Sequence, residues 1–335
     1  MSHHNKRIYP LIILLIITVL VALGIGRYSL SVPEVIHILL AKVSGLPLAP
    51  IQQQIIFQVR LPRILLAALV GAGLALSGCV LQGVFRNPLV DSHIIGVTSG
   101  AAFGGTLAIF LGFGIQGLFF NTVIFGVGTL LAVFLLSYKL MKQSLLMLIL
   151  TGMMLSGFFS ALVSLLQYIS DVEEKLPSIV FWLMGSFATA NDEKLYFFFL
   201  PFICCSAVLL GVRWRLNLLS LGDKEAKALG IKVTPLRWCV LFCSGVIVAC
   251  QVAVSGSIGW VGLIIPHIGR MLVGANHQSL LPCSMLIGAI YMIVVDCFAR
   301  AAADAEIPIS ILTSLIGAPL FGFLLYKLKR DGWNE

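Results

Sequence analysis

Residues 213–237 read RWRLNLLSLGDKEAKALGIKVTPLR, a polar stretch in a chain that is otherwise apolar enough to lie in lipid. Lys and Arg residues outnumber the acids of this stretch, which are Asp223 and Glu225. Dense Lys and Arg beside membrane spans mark the cytoplasmic side of a membrane protein. Residues 223–230, DKEAKALG, predict a short helix closed by Gly230, because glycine is the usual residue after a helix end. We therefore expect a short helix on the cytosolic side of a bundle of spans, where a partner protein can bind and move the chain.

The composition excludes a soluble domain. Hydrophobic residues make up 59% and charged residues 11% of the 335, and the mean hydropathy is +1.04. A soluble domain carries about a quarter charged residues. The apolar runs are long and continuous, which favours an all-α polytopic membrane protein over a barrel. The net charge of +8 is mostly a positive-inside bias, so nucleic acid is not an expected partner.

Windows of about 20 apolar residues predict about ten membrane spans within a single domain, 1–335. The expected spans are 8–28, 55–84, 93–111, 116–138, 144–168, 194–212, 235–255, 258–268, 280–300 and 309–328. The eighth is too short to cross alone and must be supported by its neighbours. Most Lys and Arg residues fall on the inner face when the N-terminus is placed inside, which predicts that both termini are cytoplasmic.

A weak internal repeat relates the second and seventh spans. Residues 75–80, ALSGCV, resemble residues 253–258, AVSGSI, and Pro88 lies at the same offset from Pro266. The two spans are five apart and run in opposite directions, so the repeat would be inverted, as in many transporters. Chance similarity between helices rich in Ala, Gly and Ser is the alternative explanation.

Motifs for catalysis are missing from the sequence. No P-loop, HExxH or GxSxG pattern occurs, so we expect no catalytic residue, no metal site and no cofactor bound by this chain. Asp296 is the acid placed deepest in a span, four residues before Arg300, and an ion pair on one helix face is the simplest expectation. An ion-coupled secondary transporter would need further paired charges inside the spans. The sequence shows essentially none, which disfavours that class and an intramembrane enzyme.

A series of motifs then resembles the signature of FecCD-type permeases, which import iron chelates and cobalamin. The motifs are RLPR at 60–63, GAG at 71–73, SG at 77–78, Gln82, RNPL at 86–89, SLG at 220–222, Ala226, LG at 229–230, VGLIIPH at 261–267, Arg270, LP at 281–282, Asp296, Arg300, EIP at 306–308 and GAP at 317–319. The resemblance covers about 58–325 and is strongest to the molybdate/tungstate members. Ferric siderophore, haem and cobalamin are alternative substrates, since no motif encodes an oxyanion. The sequence departs from the family pattern at Asp91-Ser92 and at Asn276.

The resemblance implies the permease fold of a type II ABC importer in a bacterial inner membrane. Two copies of the chain would pair with two ATPase subunits, which bind ATP and Mg, and with one periplasmic binding protein. Within 213–237, the resemblance assigns coupling to the ATPase to Leu219, Leu221, Gly222, Glu225, Ala226, Leu229 and Gly230. It assigns docking of the binding protein to Arg60, Arg63 and Arg300.

Residues 170–193, between the fifth and sixth spans, are acidic but contain an apolar patch, 179–184. The patch is too short to span and lies between Pro177 and Gly185, so it predicts a short helix packed on the bundle or on its symmetry mate. We expect an outer gate here, formed by Ser178, Trp182, Gly185 and Ser186. The alternative is a helix lying flat on lipid, with Trp182 as its interfacial anchor.

Overall fold

A computed structural model describes residues 7–26, 28–45, 49–141 and 145–330, and this part of the chain is helical without strands. The helices are α1 Ile8–Gly24, α2 Val32–Val43, α3 Pro50–Gln53, α4 Leu61–Phe85, α5 Val97–Phe110, α6 Ile115–Met141, α7 Leu145–Ile169, α8 Lys175–Leu183, α9 Asp192–Gly211, α10 Arg213–Leu221, α11 Asp223–Ala228, α12 Val233–Ser255, α13 Val261–Val273, α14 His277–Ala301 and α15 Ile309–Arg330. A π-helical stretch, Gln54–Arg60, joins α3 to α4, and a 3₁₀ turn, Ser92–Ile95, precedes α5.

Six helices of the described ranges are long and apolar enough to cross a membrane. They are Pro50–Phe85, Ile115–Ser137, Leu145–Ile169, Asp192–Gly211, Val233–Ser255 and His277–Ala301. Four shorter apolar helices are Ile8–Gly24, Val97–Phe110, Val261–Val273 and Ile309–Phe323. Each predicted span overlaps one of these ten helices, so the all-helical membrane fold is confirmed. That the four short helices also cross stays a prediction.

Helix α4 is the centre of the bundle. It packs against α14 and α13 by direct backbone contact, since a Cβ on Gly71 would lie 2.1 Å from the Gly288 carbonyl oxygen. A Cβ on Gly78 would lie 1.9 Å from the Gly262 carbonyl oxygen. Small residues permit such close helix approach inside a membrane, where packing and polar contacts replace the hydrophobic effect between helices. Gly71, Gly78 and Gly288 therefore cannot be enlarged without moving a span.

The two spans of the weak repeat have similar surroundings. Helices α4 and α12 are mostly buried, and each is followed by a break and a short apolar helix, α5 or α13. The breaks end at residues with left-handed backbones, Gly96 (φ 82°) and Trp260 (φ 72°). This correspondence supports an inverted repeat, which stays a prediction.

Besides the four-residue helix α3, two helices, α2 and α10, were not predicted from the residues. Helix α2 begins with a reciprocal capping box between Ser31 and Glu34 and carries Pro33 in its first turn, a recognisable start signal. Helix α10 lies within the polar 213–237 stretch, where Leu216 and Leu219 are buried. Their three-residue spacing was the available signal for a helix with one inward face.

Candidate sites for coupling, docking and gating

The predicted coupling segment consists of two short helices, α10 and α11, hinged at Gly222. The hinge has φ 138°, and a Cβ there would lie 2.0 Å from Oε2 of Glu225, so only glycine fits without rearrangement. Leu219 and Ala226 are fully buried and anchor one helix each.

The opposite side of this pair projects outward. Leu221 and Leu229 are 61% and 57% exposed, and the exposed Glu225 lies between them in sequence. Exposed large apolar side chains flanking a carboxylate form a surface suited to a protein partner. The structure thus brings the predicted coupling residues together as a buried anchor and an exposed face.

The end of α11 agrees with the sequence prediction. Gly230 has φ +81° and its N–H donates to the Lys227 carbonyl at 3.0 Å. The N–H of Ile231 donates to the Ala226 carbonyl, also at 3.0 Å. These bonds satisfy carbonyls at the helix end and fix the path of the chain into α12.

Polar contacts tie both short helices to the spans. Arg237 on α12 is buried and donates to Oδ1 of Asp223 at 2.6 Å. Asn217 on α10 donates to Oδ1 of Asn276 at 2.8 Å and accepts from the backbone N–H of His277 at 2.8 Å. Since Asn276 also caps the start of α14, movement of the pair would be transmitted to α12 and α14.

The three predicted docking arginines lie close together at the predicted outer end but point inward. Arg60 is 5% exposed and donates to backbone carbonyls of Leu23 and Gly24, at 2.5 and 3.2 Å, and of Tyr28. Arg300 donates to the Ala22 carbonyl at 2.7 Å. Both residues therefore hold the end of α1, a contact that the sequence did not indicate.

Arg63, which is 7% exposed, lies between two carboxylates. Its guanidinium contacts Asp296 at 2.8 Å and Glu306 at 2.7 Å. The expected Asp296–Arg300 pair is present at 3.7 Å, but Arg63 is the nearer partner. In this conformation Arg60 and Arg63 are occupied by the chain's own groups, so docking through them requires those contacts to open, and the docking role stays a prediction.

The predicted gate helix, α8, packs on the bundle. The Trp182 ring lies against Gly105 of α5, where a Cβ would be 1.9 Å from the indole. This packing does not fit the alternative in which Trp182 anchors the helix in the lipid interface. Ser178 is exposed, and its hydroxyl donates to the Glu174 carbonyl at 2.9 Å.

The residues that follow α8 join three elements. Gly185 has φ +74°, and its carbonyl accepts from the N–H of Ile309 at 2.9 Å. The N–H of Ser186 donates to the Ser255 carbonyl at 2.9 Å. The predicted gate residues therefore connect α8 to the end of α12 and to the start of α15.

The loop with the unusual Asp91-Ser92 pair lies against the start of α13. Asp91 accepts hydrogen bonds from Ser92 and lies 3.2 Å from Nδ1 of His93. Burial opposes the charge of each partner, but their mutual contact, with the Ser92 bonds to Asp91, outweighs it. The pKa of Asp91 is therefore lowered and that of His93 raised. A Cβ on Gly262 would lie 2.7 Å from Oδ1 of Asp91, so the loop packs closely on this glycine.

These features define a polytopic helical membrane protein with two short polar helices, α10 and α11, at one end of the bundle. Within the described residues no cluster of three His, Cys, Asp or Glu could hold a metal ion. The model of the FecCD transport family matches residues 14–327. The chain belongs to the FecCD transport family.

Individual relatives give finer similarity. The molybdate import system permease protein MolB of Haemophilus influenzae is 72% identical over 332 residues, 99% of this chain and 98% of that protein. The hemin transport system permease protein HmuU of Yersinia pestis is 37% identical over 343 residues, 98% of this chain and 99% of that protein. A solved metal-chelate type ABC transporter in an inward-facing conformation is 70% identical and covers 96% of this chain and 99% of that one, with a TM-score of 0.89.

Proposed function

We propose that this chain is the transmembrane permease of a type II ABC importer that passes molybdate, or the isosteric tungstate, into the cytoplasm. The observation that carries the proposal is the 72% identity to a molybdate permease over essentially the full length of both chains. The anchored helix pair α10–α11 supports it, since a permease without an ATP site needs a surface through which an ATPase acts.

The proposed assembly contains two copies of the chain, two ATPase subunits that bind ATP and Mg, and a periplasmic binding protein. Helix α7 supports the pairing of two copies, because only 17% of its most apolar stretch is buried within one chain. Met153, Met154 and Phe158 are among its exposed side chains. A second copy on this face would cover them, and the remaining exposed spans face lipid.

We place the protein in the bacterial inner membrane with ten crossings and both termini cytoplasmic.

A displacement of α11 by the ATPase would be transmitted to α12 and α14. An ATPase that moves the exposed Leu221, Glu225 and Leu229 face would move Asp223, whose partner Arg237 lies on α12. The Asn217 contacts carry the same displacement to α14. The far end of α12 contacts the gate segment at Ser186. A continuous series of contacts therefore links the coupling helices α10 and α11 to the predicted gate.

The other candidate substrates are a haem, a ferric siderophore or cobalamin. The haem permease that resembles this chain is 37% identical, a much lower identity than that of the molybdate permease. An ion-coupled mechanism is disfavoured, since the interior acid Asp296 is neutralised by Arg63 instead of standing free to exchange ions.

The test is uptake by proteoliposomes that hold the chain with its ATPase, supplied with the cognate binding protein. We expect ATP-dependent accumulation of molybdate and tungstate, without accumulation of ferric chelate, haem or cobalamin. ATP-driven uptake of a metal chelate without molybdate would replace the proposed substrate. Uptake driven by an ion gradient without ATP would refute the importer class.

A further inference from the structure

A cavity of about 400 Å³, lined partly by polar side chains, opens at the predicted inner end of the bundle, beside the coupling helices. It lies between the end of α4, helix α10, the end of α13 and the start of α14. The lining that bears on its chemistry is Gln82, Arg86, Asn87, Ser220, Arg270 and His277. Among the described residues, no Asp or Glu lines it. It is separate from the exposed coupling face and from the gate segment.

Two guanidinium groups give the cavity its charge. Arg270 donates to Oε1 of Gln82 at 2.7 Å and makes no ion pair within the described part of the chain. Gln82 is held in turn by the Gly262 and Leu263 carbonyls, at 3.3 and 3.2 Å. This arrangement fixes the position of the Arg270 guanidinium while leaving most of its five N–H donors unused.

Arg86 supplies the second cation. It ends α4 in a left-handed conformation, φ 51°, and its exposed side chain has no hydrogen bond or ion pair to the described residues. Its guanidinium points toward Gly222, with Nη1 3.6 Å from where a Cβ would stand. Two acids stand nearby but outside the lining. Asp223 is paired with Arg237, and Oε2 of Glu225 lies 2.0 Å from the same Cβ position, so this carboxylate stands near Arg86 at the Gly222 hinge.

Neutral groups complete an environment for an anion. The Asn87 Oδ1 accepts from the N–H of Leu89, which leaves its amide N–H groups free to donate. His277 stands at the first turn of the 25-residue helix α14, whose N-terminal dipole favours negative charge. Its Nδ1 lies 2.9 Å from Oδ1 of Asn217 and is therefore the donor, so Nε2 faces Gly83 as an acceptor and His277 itself gives an anion no donor.

We propose that this cavity is a binding site for a tetrahedral oxyanion on the cytoplasmic side of the permease. Arginine binds oxyanions through paired N–H donors, and two arginines without a lining carboxylate give the cavity a net positive potential. The volume accommodates an oxyanion with several waters, since a water occupies about 30 Å³. An anion held here would lie beside Arg86 and Ser220, next to the hinge of the coupling helices.

The assignment of molybdate as the natural anion rests on the proposed function, whereas the oxyanion class rests on the cavity alone. Molybdate in this site would be imported product, so its occupancy would report the cytoplasmic oxyanion level to the coupling helices. Sulfate and phosphate are also tetrahedral oxyanions. Competition of each with tungstate, compared with competition by molybdate, therefore shows which anion the site prefers.

The test is equilibrium dialysis of radioactive tungstate against the full chain in lipid nanodiscs. We expect saturable binding that molybdate displaces. Arg86→Gln and Arg270→Gln should each weaken it by about tenfold or more, as expected for a lost charge-assisted contact. Arg86→Lys keeps the charge but loses the paired N–H donors, so it should weaken binding less than Arg86→Gln does. Arg7→Gln is the matched control, because Arg7 is an exposed cation that contacts the Leu272 carbonyl at the same end, outside the cavity.

Several outcomes would overturn the site. These are absence of saturable binding in the folded wild-type chain, equal binding by Arg86→Gln and wild type, and equal loss in Arg7→Gln. Loss of binding on addition of the ATPase, restored by neutralising an acidic side chain of that subunit, would show that a protein carboxylate fills the cavity instead. Stronger competition by phosphate or sulfate than by molybdate would support the oxyanion site and reject molybdate as its natural ligand. Tungstate binding without molybdate uptake would leave the site standing and refute the proposed function.

Discussion

Arg63 on α4 and Asp296 on α14 form a buried ion pair with Nη2 and Oδ1 2.8 Å apart. Arg63 also reaches Glu306, on the connection from α14 to α15, at 2.7 Å. A single guanidinium thus joins the central helix to two elements that flank the predicted outer opening. Arg60 and Arg300 hold the end of α1 beside it. The predicted docking arginines therefore also have a structural role, and experiments on them must separate folding from docking.

Asp296→Asn is expected to destabilise the chain substantially. The substitution leaves the buried Arg63 charge with Glu306 as its ion-pair partner and weakens the link between α4 and α14. Breaking a buried pair costs about 3–5 kcal/mol when the remaining charge is left uncompensated, so the retained Glu306 contact should keep the loss below that range. The melting temperature in nanodiscs should fall clearly, whereas Glu173→Gln, at an exposed acid of the predicted outer surface, should leave it unchanged. Equal melting temperatures for wild type and Asp296→Asn would show that the pair contributes little.

Arg300 is a predicted docking arginine that can be changed without touching the ion pairs of Arg63. Arg300→Gln removes a cation whose side chain is bound mainly to a backbone carbonyl, and it leaves the Arg63–Asp296 pair in place. We expect weaker binding-protein affinity, most evident at low salt because salt screens the long-range attraction between charged partners. Lys42→Gln is the control at the same end, since Lys42 lies over the Phe57 ring. Affinity equal to wild type at low salt, in a variant that folds, would argue against direct docking by Arg300.

Gly230→Pro is expected to uncouple ATP hydrolysis from transport while the protein still inserts. Proline fixes φ near −65°, whereas Gly230 has φ +81°, and it removes the N–H that bonds to Lys227. The mismatch costs about 3 kcal/mol or more locally. Uptake and ATPase activity should be measured together in proteoliposomes. Gly112→Ala provides a control at another left-handed glycine, one that lies in open space away from the coupling helices. Wild-type uptake by Gly230→Pro would refute the assignment of this turn to coupling.

The Asp91–His93 pair predicts a pH dependence of stability. The pKa of His93 is raised, so its contribution is complete below its ordinary value of 6.5 and is lost as pH rises through the higher folded value. The pKa of Asp91 is lowered, so its contribution is present above 3.8 and is lost as pH falls through the lower folded value. Wild type should therefore exceed His93→Gln in melting temperature between about pH 4 and 6.5, with the gap closing above neutral pH.

The control for the His93→Gln experiment is His37→Gln, because His37 is an exposed histidine on α2. Melting curves across the same pH range should be parallel for His37→Gln and wild type. A gap between His93→Gln and wild type that widens above neutral pH would contradict the assigned direction of the His93 pKa shift.

The sequence was sufficient for the membrane class, the positions of the ten apolar helices and the turn at Gly230. Long apolar runs and a glycine after a short polar helix are local signals, readable without a partner. The Arg63–Asp296 pair joins residues 233 positions apart, and only the packing of α4 on α14 brings them together. The cavity between Arg86 and Arg270 was missed for the same reason, because its lining comes from four separate elements. Helix α10 was not predicted from the residues, because the 213–237 stretch was interpreted from its many charged residues. The helical spacing of Leu216 and Leu219 within it was not used.

The last prediction concerns α8 as an outer gate. Its Ser178 side is exposed while its Trp182 side is packed on Gly105, so the exposed side is available to a second copy at the proposed two-fold axis. With the exposed Cys204 and Cys239 replaced by serine, Ser178→Cys should form a cross-link between copies and block molybdate uptake. Ser186→Cys should cross-link less, since Ser186 is partly buried and its backbone is bound to Ser255. Ser29→Cys, exposed near the end of α1, serves as the control that should neither cross-link nor block. If Ser178→Cys gives no cross-link in any nucleotide state, and bulky thiol labels there leave uptake unchanged, α8 does not line the gate.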